Sequence, residues 1–293
     1  MIQAFSLKNL VKSYPDFRLG PLNLDLAPGT VLGYIGPNGS GKTTTLHAMI
    51  GLIKADAGEI EIFGRPNDSN KTDWKLDIGY VGDLQVFYEN WSAERNLQFI
   101  SRFYPDWSDS LAADLAKRFE IPLSKKAKEL SGGNRVKLSL IAALAHKPKL
   151  LLLDEPTAGL DPLVRSELLD ELFHVLESGE RAIFYSTHIL SDISRLADEL
   201  VFLNEGQIFQ RAAKDDLLDK WRRISFHSDK QDLQLAKVIH QEQEGHIHQV
   251  ISYDHEMTIA EINRAGAANI TVNRMSIDEI AVQILKEAKN NED

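Results

Sequence analysis

Short, almost entirely apolar runs alternate with amphipathic stretches along much of the chain. The apolar runs occupy residues 31–35, 150–153, 182–185 and 200–203. Strands covered by helices on both faces have this pattern, which is typical of parallel sheets. Between two of these runs, apolar residues recur at the helical spacing of three and four: Leu168, Leu169, Leu172, Phe173 and Leu176. The alternation of strands and helices predicts an α/β fold with a mainly parallel sheet.

Two regions depart from this alternation. Near the start, apolar and polar residues alternate around positions 5–10 and 22–26, which predicts an antiparallel β edge. Residues 87–148 instead show helix patterns that are broken by Pro105 and Pro122. We interpret this stretch as a helical subdomain inserted into the sheet domain.

The pattern restarts as a smaller unit after about residue 215. Residues 224–227 and 247–253 are typical of strands. One buried helix face follows, with the i, i+3, i+4, i+7, i+8 spacing: Ile277, Ile280, Ala281, Ile284 and Leu285. The sequence therefore predicts a first domain over 1–215 and a small C-terminal α/β appendage over 216–293.

Composition narrows the possible classes of protein. The 293 residues include no cysteine, which excludes a disulfide scaffold, a cysteine nucleophile and cysteine-ligated metal sites. The 33 basic and 43 acidic residues give a net charge of −10, so we expect no nucleic acid partner. No apolar stretch reaches the roughly 18 residues that span a bilayer, and the start lacks a signal-peptide core. We expect a cytoplasmic protein that needs a partner for any work at a membrane.

A phosphate-binding loop follows the first apolar run. Residues 36–43 match the pattern G-x-x-x-x-G-K-[ST], in which backbone N–H groups converge on phosphate oxygens. Lys42 is placed for the β- and γ-phosphates, and the Thr43 hydroxyl is placed for Mg²⁺. The alternative, a chance Gly-rich turn, does not account for the strand before the loop and the helix after it. The predicted nucleotide contacts here are Gly36, Asn38, Gly39, Ser40, Gly41, Lys42, Thr43 and Thr44.

A second element of the same site ends the apolar run 150–153 in two carboxylates. Asp154 can hold Mg²⁺ directly or through water, and Glu155 can act as the general base toward an attacking water. Taken alone, Asp-Glu at a strand end usually marks only the exit of the chain into solvent. The phosphate loop about 110 residues upstream favours the functional interpretation.

Further stretches, in the expected order, resemble the nucleotide-binding subunit of ABC transporters. Leu130-Ser131-Gly132-Gly133-Asn134 is similar to the signature motif, Ala158-Gly159-Leu160-Asp161 to the D-loop, and Ser186-Thr187-His188 to the switch-histidine segment. Tyr14 stands where that family has an aromatic residue that stacks on adenine. The resemblance covers about residues 1–215 and, more weakly, the C-terminal piece.

The resemblance implies a P-loop ATPase that uses ATP and Mg²⁺, with Lys42, Glu155 and His188 as catalytic residues. It also implies a head-to-tail homodimer, in which Ser131, Gly132, Gly133 and Asp161 of one copy reach the ATP held by the other. The implied partner is an integral membrane permease, and the implied location is the inner face of the cell membrane. The residues alone leave simpler alternatives open: a helix N-cap at 131–133, a helix cap at Asp161 and an ordinary surface tyrosine at position 14.

The chain departs from the family pattern at two positions. Asp83 stands where the Q-loop glutamine is expected, and Gln85 follows two residues later as a possible substitute. An aspartate can ligate Mg²⁺ through oxygen, so we expect Asp83 to join Thr43 and Asp154 as a metal ligand. Asn134 replaces the usual signature glutamine, and we expect a modest effect.

Two other segments carry open alternatives. The aromatic-rich residues 86–91 either face the permease or pack between the sheet domain and the helical subdomain. The appendage contains four histidines, and we expect them to be solvated rather than to bind a metal: His240, His246, His248 and His255.

A single nucleotide domain followed by a short appendage that ends in residues 275–280 resembles subunits that serve bacterial exporter-type permeases, which makes an ATP-hydrolysing exporter motor the leading hypothesis. The alternatives are a soluble ABC-type ATPase that acts on ribosomes, DNA or assembly, and a module that senses ATP without hydrolysing it.

Overall fold

The computed structural model describes residues 2–67, 71–83, 86–176, 181–230 and 233–290. The first half of the chain contains β1 (Phe5–Tyr14), β2 (Phe17–Leu26), β3 (Val31–Ile35), α1 (Lys42–Met49), β4 (Ala57–Ile62), β5 (Arg65–Pro66), β6 (Ile78–Val81), α2 (Ala93–Ser101), α3 (Asp109–Arg118) and α4 (Gly132–Leu144). The next elements are β7 (Leu150–Asp154), α5 (Pro162–Leu176), β8 (Ala182–Thr187), α6 (Leu190–Leu196), β9 (Glu199–Asn204), β10 (Gln207–Ala213) and α7 (Lys214–Lys220). The chain continues with β11 (Arg222–His227), β12 (Val238–Glu244), β13 (Ile247–Ser252), α8 (His255–Arg264), β14 (Ala268–Arg274) and α9 (Ile277–Asn290).

A six-stranded sheet with the order β10-β9-β3-β8-β7-β6 forms the centre of the molecule. Its strands pair in parallel except at the β10–β9 edge. Every residue of β3, β7 and β8 is buried, as their apolar runs predict. The carboxyl ends of these three neighbouring strands therefore deliver the phosphate loop, the acidic pair and the switch segment to one edge of the sheet.

A smaller antiparallel sheet with the order β2-β1-β4-β5 covers one face of this unit, as the alternating pattern near the start predicts. Its Phe5 ring packs 5.6 Å from the ring of Phe184 on β8, which in turn lies 4.8 Å from Tyr34 on β3. These contacts join the two sheets in one apolar core. The parallel sheet with its helices and the antiparallel edge sheet together confirm the mixed α/β fold class.

The helices of the predicted inserted region begin at side-chain caps. Ser92, Ser108 and Ser131 precede α2, α3 and α4, and each accepts a hydrogen bond from the backbone N–H three residues later. An ion pair between Arg118 Nη1 on α3 and Glu171 Oε2 on α5, 2.8 Å long, ties this region to the sheet unit.

The C-terminal residues form an antiparallel sheet with the order β12-β13-β11-β14 and a small core of their own. Helix α9 contacts this sheet through a 3.0 Å ion pair between Glu279 Oε1 and Arg223 Nη2 on β11. Its buried residues Ile280, Ala281 and Ile284 belong to the large core of the parallel-sheet unit, where α9 contacts α6, α7 and β9. The period of three and four correctly predicted which face of α9 is buried. It carries no information about the covering elements, and in the structure α9 packs on the parallel-sheet unit as well as contacting the C-terminal sheet.

The expectation that all four C-terminal histidines are solvated is wrong for His248. Its side chain is fully buried and stacks on Phe226, with ring centroids 5.0 Å apart. His248 lies on β13 directly opposite Phe226 on β11, so the strand pairing turns it into the small core. His240 and His246 are exposed. Among the described residues, no group of three or more acidic or histidine side chains is spaced to hold a metal ion.

Candidate nucleotide site

A cleft of about 780 Å³ opens at the carboxyl edge of the parallel sheet, a size typical of small-molecule sites. It brings together side chains from five separate stretches of the sequence. They are Tyr14, Asp16, Phe17, Asn38, Gly39, Gly41, Lys42, Thr43, Thr44, Asp83, Glu155, Ala158 and His188. The cleft thus collects most of the residues that the sequence assigned to a nucleotide and its metal.

The phosphate loop connects β3 to α1 through two glycines in the left-handed region, Gly39 at φ 84° and Gly41 at φ 107°. A side chain at Gly41 would also place its Cβ 2.6 Å from Leu19 Cδ1. Lys42 Nζ donates to the carbonyl oxygens of Gly36, at 2.8 Å, and Pro37, at 3.1 Å. These bonds fold the lysine back along its own loop, which leaves the ammonium group facing the cleft.

Glu155 connects the lysine to the switch histidine. Its Oε1 lies 3.2 Å from Lys42 Nζ, and its Oε2 lies 2.8 Å from His188 Nδ1. The backbone N–H of His188 also donates to Oε2, at 3.3 Å. Glu155 adopts a positive φ of 49°, an unusual conformation for a residue with a side chain. One carboxylate oxygen therefore faces the lysine and the other faces the histidine, the two groups that the sequence placed beside a γ-phosphate.

Asp154 is fully buried beside them. Ser186 Oγ donates to Asp154 Oδ1 at 2.9 Å, whereas no described residue hydrogen-bonds to Oδ2. Burial raises the pKa of the Asp154 carboxyl, and hydrogen bonds from Thr43 and Ser186 oppose that rise. A buried carboxylate oxygen without a partner, next to a hydroxyl, is the donor set that a hard cation such as Mg²⁺ prefers. The sequence did not identify Ser186 as the residue that orients this carboxyl, because its serine-threonine-histidine segment was recognised only for the histidine.

Asp83 is exposed and lines the same cleft. Burial, together with the charges of Asp154 and Asp83, raises the pKa of the nearby Tyr80 phenol. The negative charges of Asp83 and Asp154 therefore both reach the Tyr80 hydroxyl group. Gln85, the alternative at this position, lies outside the described residues.

Tyr14 forms the rim of the cleft with 44% of its surface exposed. The Phe17 ring lies 6.5 Å from the Tyr14 ring, and Lys12 Nζ lies 5.7 Å from the Tyr14 centroid. Phe17 has no recognisable motif around it, so only the β1–β2 hairpin geometry reveals it as a cleft residue.

The signature residues and Asp161 of the D-loop do not line this cleft, although Ala158 at the start of the D-loop does. Ser131 Oγ accepts a 3.2 Å bond from Asn134 N and caps α4, and Gly132 is exposed with open space around its Cα. Asp161 Oδ1 accepts from the N–H groups of Leu163 and Val164, at 3.1 Å each, and caps α5. Within one chain, the helix-capping alternatives are therefore what these residues do.

An aromatic patch, defined here as Tyr88, Trp91, Phe99 and Phe103, lies at the start of the helical region. Tyr88 and Trp91 stack with centroids 4.3 Å apart, and Phe99 meets each of the other three rings within 5.6 Å. Tyr88 is 52% exposed and Phe103 is 62% exposed. The four rings of the patch pack against one another on the surface. Within the aromatic-rich residues 86–91, Phe87 is the residue that packs against the large core.

Comparison with known proteins identifies the family. Residues 19–158 match the family model described as ABC transporter. The chain is 34% identical over 206 residues to the bacitracin transport ATP-binding protein BcrA of Bacillus licheniformis, and the match covers 69% of this chain and 67% of that relative. The chain belongs to the ABC transporter family of ATP-binding proteins.

A further relative and a solved structure support the same family assignment. The Nod factor export ATP-binding protein I of Cupriavidus metallidurans is 30% identical over 225 residues, which cover 75% of this chain and 74% of the relative. A solved structure described as the ATP binding subunit of an ABC transporter superimposes with a TM-score of 0.67 at 28% identity, and covers 74% of this chain and 92% of that one. The resemblance and the fold class expected from the motifs are both confirmed.

Proposed function

We propose that this protein is an ATP-hydrolysing motor subunit that drives a separate membrane permease, with exporters as the class of transporter. The observation that carries the proposal is the Lys42–Glu155–His188 arrangement inside one cleft. A carboxylate for the attacking water lies 3.2 Å from a cation for the phosphates and 2.8 Å from a histidine for the γ-phosphate. An ATP-sensing module without turnover has no need for this carboxylate.

The same groups account for the chemistry. The loop N–H groups and Lys42 bind the β- and γ-phosphates, and Tyr14 stacks on the base. Lys42 leaves Glu155 for the phosphates, which frees the carboxylate to take a proton from the water that attacks the γ-phosphorus. The bond from the γ-phosphorus to the bridging oxygen then breaks, and ADP and phosphate leave. His188 orients the γ-phosphate.

Thr43, Asp154 and Asp83 are the residues that would hold Mg²⁺. The buried, unpartnered Oδ2 of Asp154 fits this role. When bound, the ion neutralises charge on the phosphates.

A second copy of the chain completes the site in this proposal. Ser131, Gly132, Gly133 and Asp161 lie outside their own cleft, and the start of α4 presents free N–H groups to solvent. In a head-to-tail homodimer with two-fold symmetry, these residues cap the ATP held by the partner copy, and two nucleotides are enclosed in one isologous interface.

The aromatic patch is the surface that we assign to the permease. Exposed clustered aromatic residues are typical of protein interfaces. Within the part of the chain that the structure describes, no helix is both long and apolar enough to cross a bilayer. We propose that the motor works on the cytoplasmic face of the membrane through this contact. In this proposal residues 216–293 form a small accessory domain, whose helix α9 also contacts the parallel-sheet unit.

A phosphate-release assay on purified protein tests the hydrolytic part. We expect Mg²⁺-dependent release from ATP that falls to background in Lys42→Ala and stays unchanged in Lys286→Ala, an exposed lysine on α9. Binding of ATP without release would favour the sensing module instead.

Capture from detergent-solubilised membranes tests the partner. Recovery of an integral membrane protein by the wild-type chain, reduced by Tyr88→Ala, supports the motor. Recovery of ribosomes would support a soluble ABC-type ATPase.

A further inference from the structure

A buried carboxylate outside the cleft connects several elements of the site. Asp192, in the first turn of α6, is fully buried. Thr157 Oγ1 and Tyr185 OH both donate to its Oδ2, the latter at 3.0 Å. Arg165 Nε donates to its Oδ1 at 2.6 Å, and Arg165 Nη2 donates to Ser191 Oγ. Burial and the Asp192 charge raise the pKa of the Tyr185 phenol, which keeps Tyr185 a donor.

The donors to Asp192 come from three segments that each carry one proposed site residue. Thr157 follows Glu155 by two residues, Tyr185 precedes His188 by three, and Arg165 follows Asp161 by four. Asp192 itself follows His188 by four. One carboxylate therefore joins the chain beside the general base, the strand that leads to the switch histidine and the helix that begins at the D-loop.

We infer that Asp192 is a positioning residue, which fixes Glu155 and His188 relative to each other and to the D-loop. The inference rests on the proposed hydrolytic function. None of Asp192, Thr157, Tyr185 and Arg165 lines the cleft, so these side chains act through backbone placement and not by touching nucleotide.

The arrangement of charges supports a positioning role over simple stabilisation. A buried ion pair contributes little net stability, because desolvation of the charges offsets their attraction, but its fixed hydrogen bonds hold neighbouring segments in one geometry. In the dimer, movement of α5 at the interface would reach His188 through the Arg165–Asp192 link. Displacement of a catalytic group by about 1 Å can cost on the order of 100-fold in rate.

A second ion pair between α5 and α6 provides a matched control, because it joins the same two helices without contacting the strand and loop segments of the site. Arg195 Nη2 on α6 lies 2.7 Å from Asp170 Oδ1 on α5, and both side chains are about half exposed. This pair joins the same two helices as Arg165 and Asp192, but neither residue has a hydrogen bond to Thr157 or Tyr185. Removing the Arg195–Asp170 pair therefore tests the effect of losing an ion pair between the two helices alone.

Steady-state ATPase kinetics on Asp192→Asn, Tyr185→Phe and Arg195→Ala test the inference, at a temperature well below the thermal midpoint of each variant. We expect Asp192→Asn to lower kcat at least about 10-fold while the KM for ATP stays within about 2-fold, because the phosphate loop is untouched. Tyr185→Phe keeps the buried ring and removes one donor, so it should lower kcat by a smaller factor without unfolding. Arg195→Ala should match wild type.

Hydrogen exchange of the nucleotide-free chain gives a readout that does not depend on turnover. Asp192→Asn should speed exchange in both 155–161 and 186–190, whereas Arg195→Ala should speed it in neither. Unchanged kcat in both Asp192→Asn and Tyr185→Phe, or exchange that rises equally in the Arg195 variant, would overturn the inference. If wild type releases no phosphate, the proposed function fails, while the exchange result still decides whether Asp192 couples the two segments.

Discussion

Replacing Asp154 with asparagine should stabilise the nucleotide-free protein while removing its Mg²⁺-dependent activity. The carboxyl is fully buried, and its Oδ2 has no hydrogen-bond partner among the described residues. A buried polar atom without a partner costs about 1–3 kcal/mol, and more if it is charged. Asparagine removes the charge and keeps the shape and the Ser186 contact, but it adds an amide donor that needs a partner. We expect a net gain of about 1 kcal/mol, equivalent to a rise of about 2–4 °C in Tm for a chain of this size.

The pH dependence of this gain follows from the pKa of the Asp154 carboxyl, which burial raises above its ordinary value of 3.8. The folded state therefore holds this proton more tightly than the unfolded state. The contribution of the protonated carboxyl to the free energy of unfolding is fully present below the pKa of the unfolded state. This contribution is lost as the pH rises through the pKa of the folded state. The advantage of Asp154→Asn should be near zero at pH 4 and should grow toward neutral pH.

Thermal unfolding in EDTA without nucleotide, at several pH values between 4 and 8, measures the difference in Tm between the two proteins. Other titrating groups are shared, so they cancel in the difference. Asp154→Ser is the control that removes the charge but creates a cavity, and it should lower Tm. A variant Asp154→Asn that is less stable than wild type at pH 7.5, or an advantage that shrinks with rising pH, would refute the assignment of this carboxyl as an unpaired cation ligand.

Three further outcomes are expected. Tyr14→Ala should raise the KM for ATP by about 5- to 30-fold, the equivalent of about 1–2 kcal/mol of base stacking, and Tyr14→Phe should restore it; equal values for all three proteins would rule out stacking. Ser131→Arg should leave ADP binding to the monomer unchanged, as measured by calorimetry, yet abolish turnover, because it places a bulky cation where the partner's nucleotide would lie. Tyr88→Ala should reduce co-purification with the membrane partner and leave basal ATPase activity in solution within about 2-fold; lost solution activity would instead indicate a catalytic or folding role.

The parallel sheet and the phosphate site were accessible from sequence because their signals are local. An all-apolar run reports burial on both faces, and the phosphate loop needs its glycines because Gly39 and Gly41 adopt left-handed backbone angles. The register of β3, β7 and β8 then brings the three strand ends together without further information.

The features that the sequence did not reveal depend on partners that are distant along the chain. Asp192 appears in the sequence as one more polar residue on a helix, and only the fold places Arg165 and Thr157 around it. His248 stands between Ile247 and Gln249 with no sequence pattern that predicts its burial, which depends on Phe226 on the adjacent strand. Helix α9 likewise shows its apolar face in the sequence but not the surface that covers it.

The enclosed dimer is tested by light scattering on a sizing column with Glu155→Gln, which keeps the shape of Glu155 but cannot accept the proton. With ATP and Mg²⁺ this variant should elute as a dimer, and with ADP it should elute as a monomer, as should Lys42→Ala/Glu155→Gln with ATP. A Glu155→Gln variant that binds ATP and remains monomeric, while wild type hydrolyses ATP at the same concentration, would contradict two copies enclosing the nucleotide.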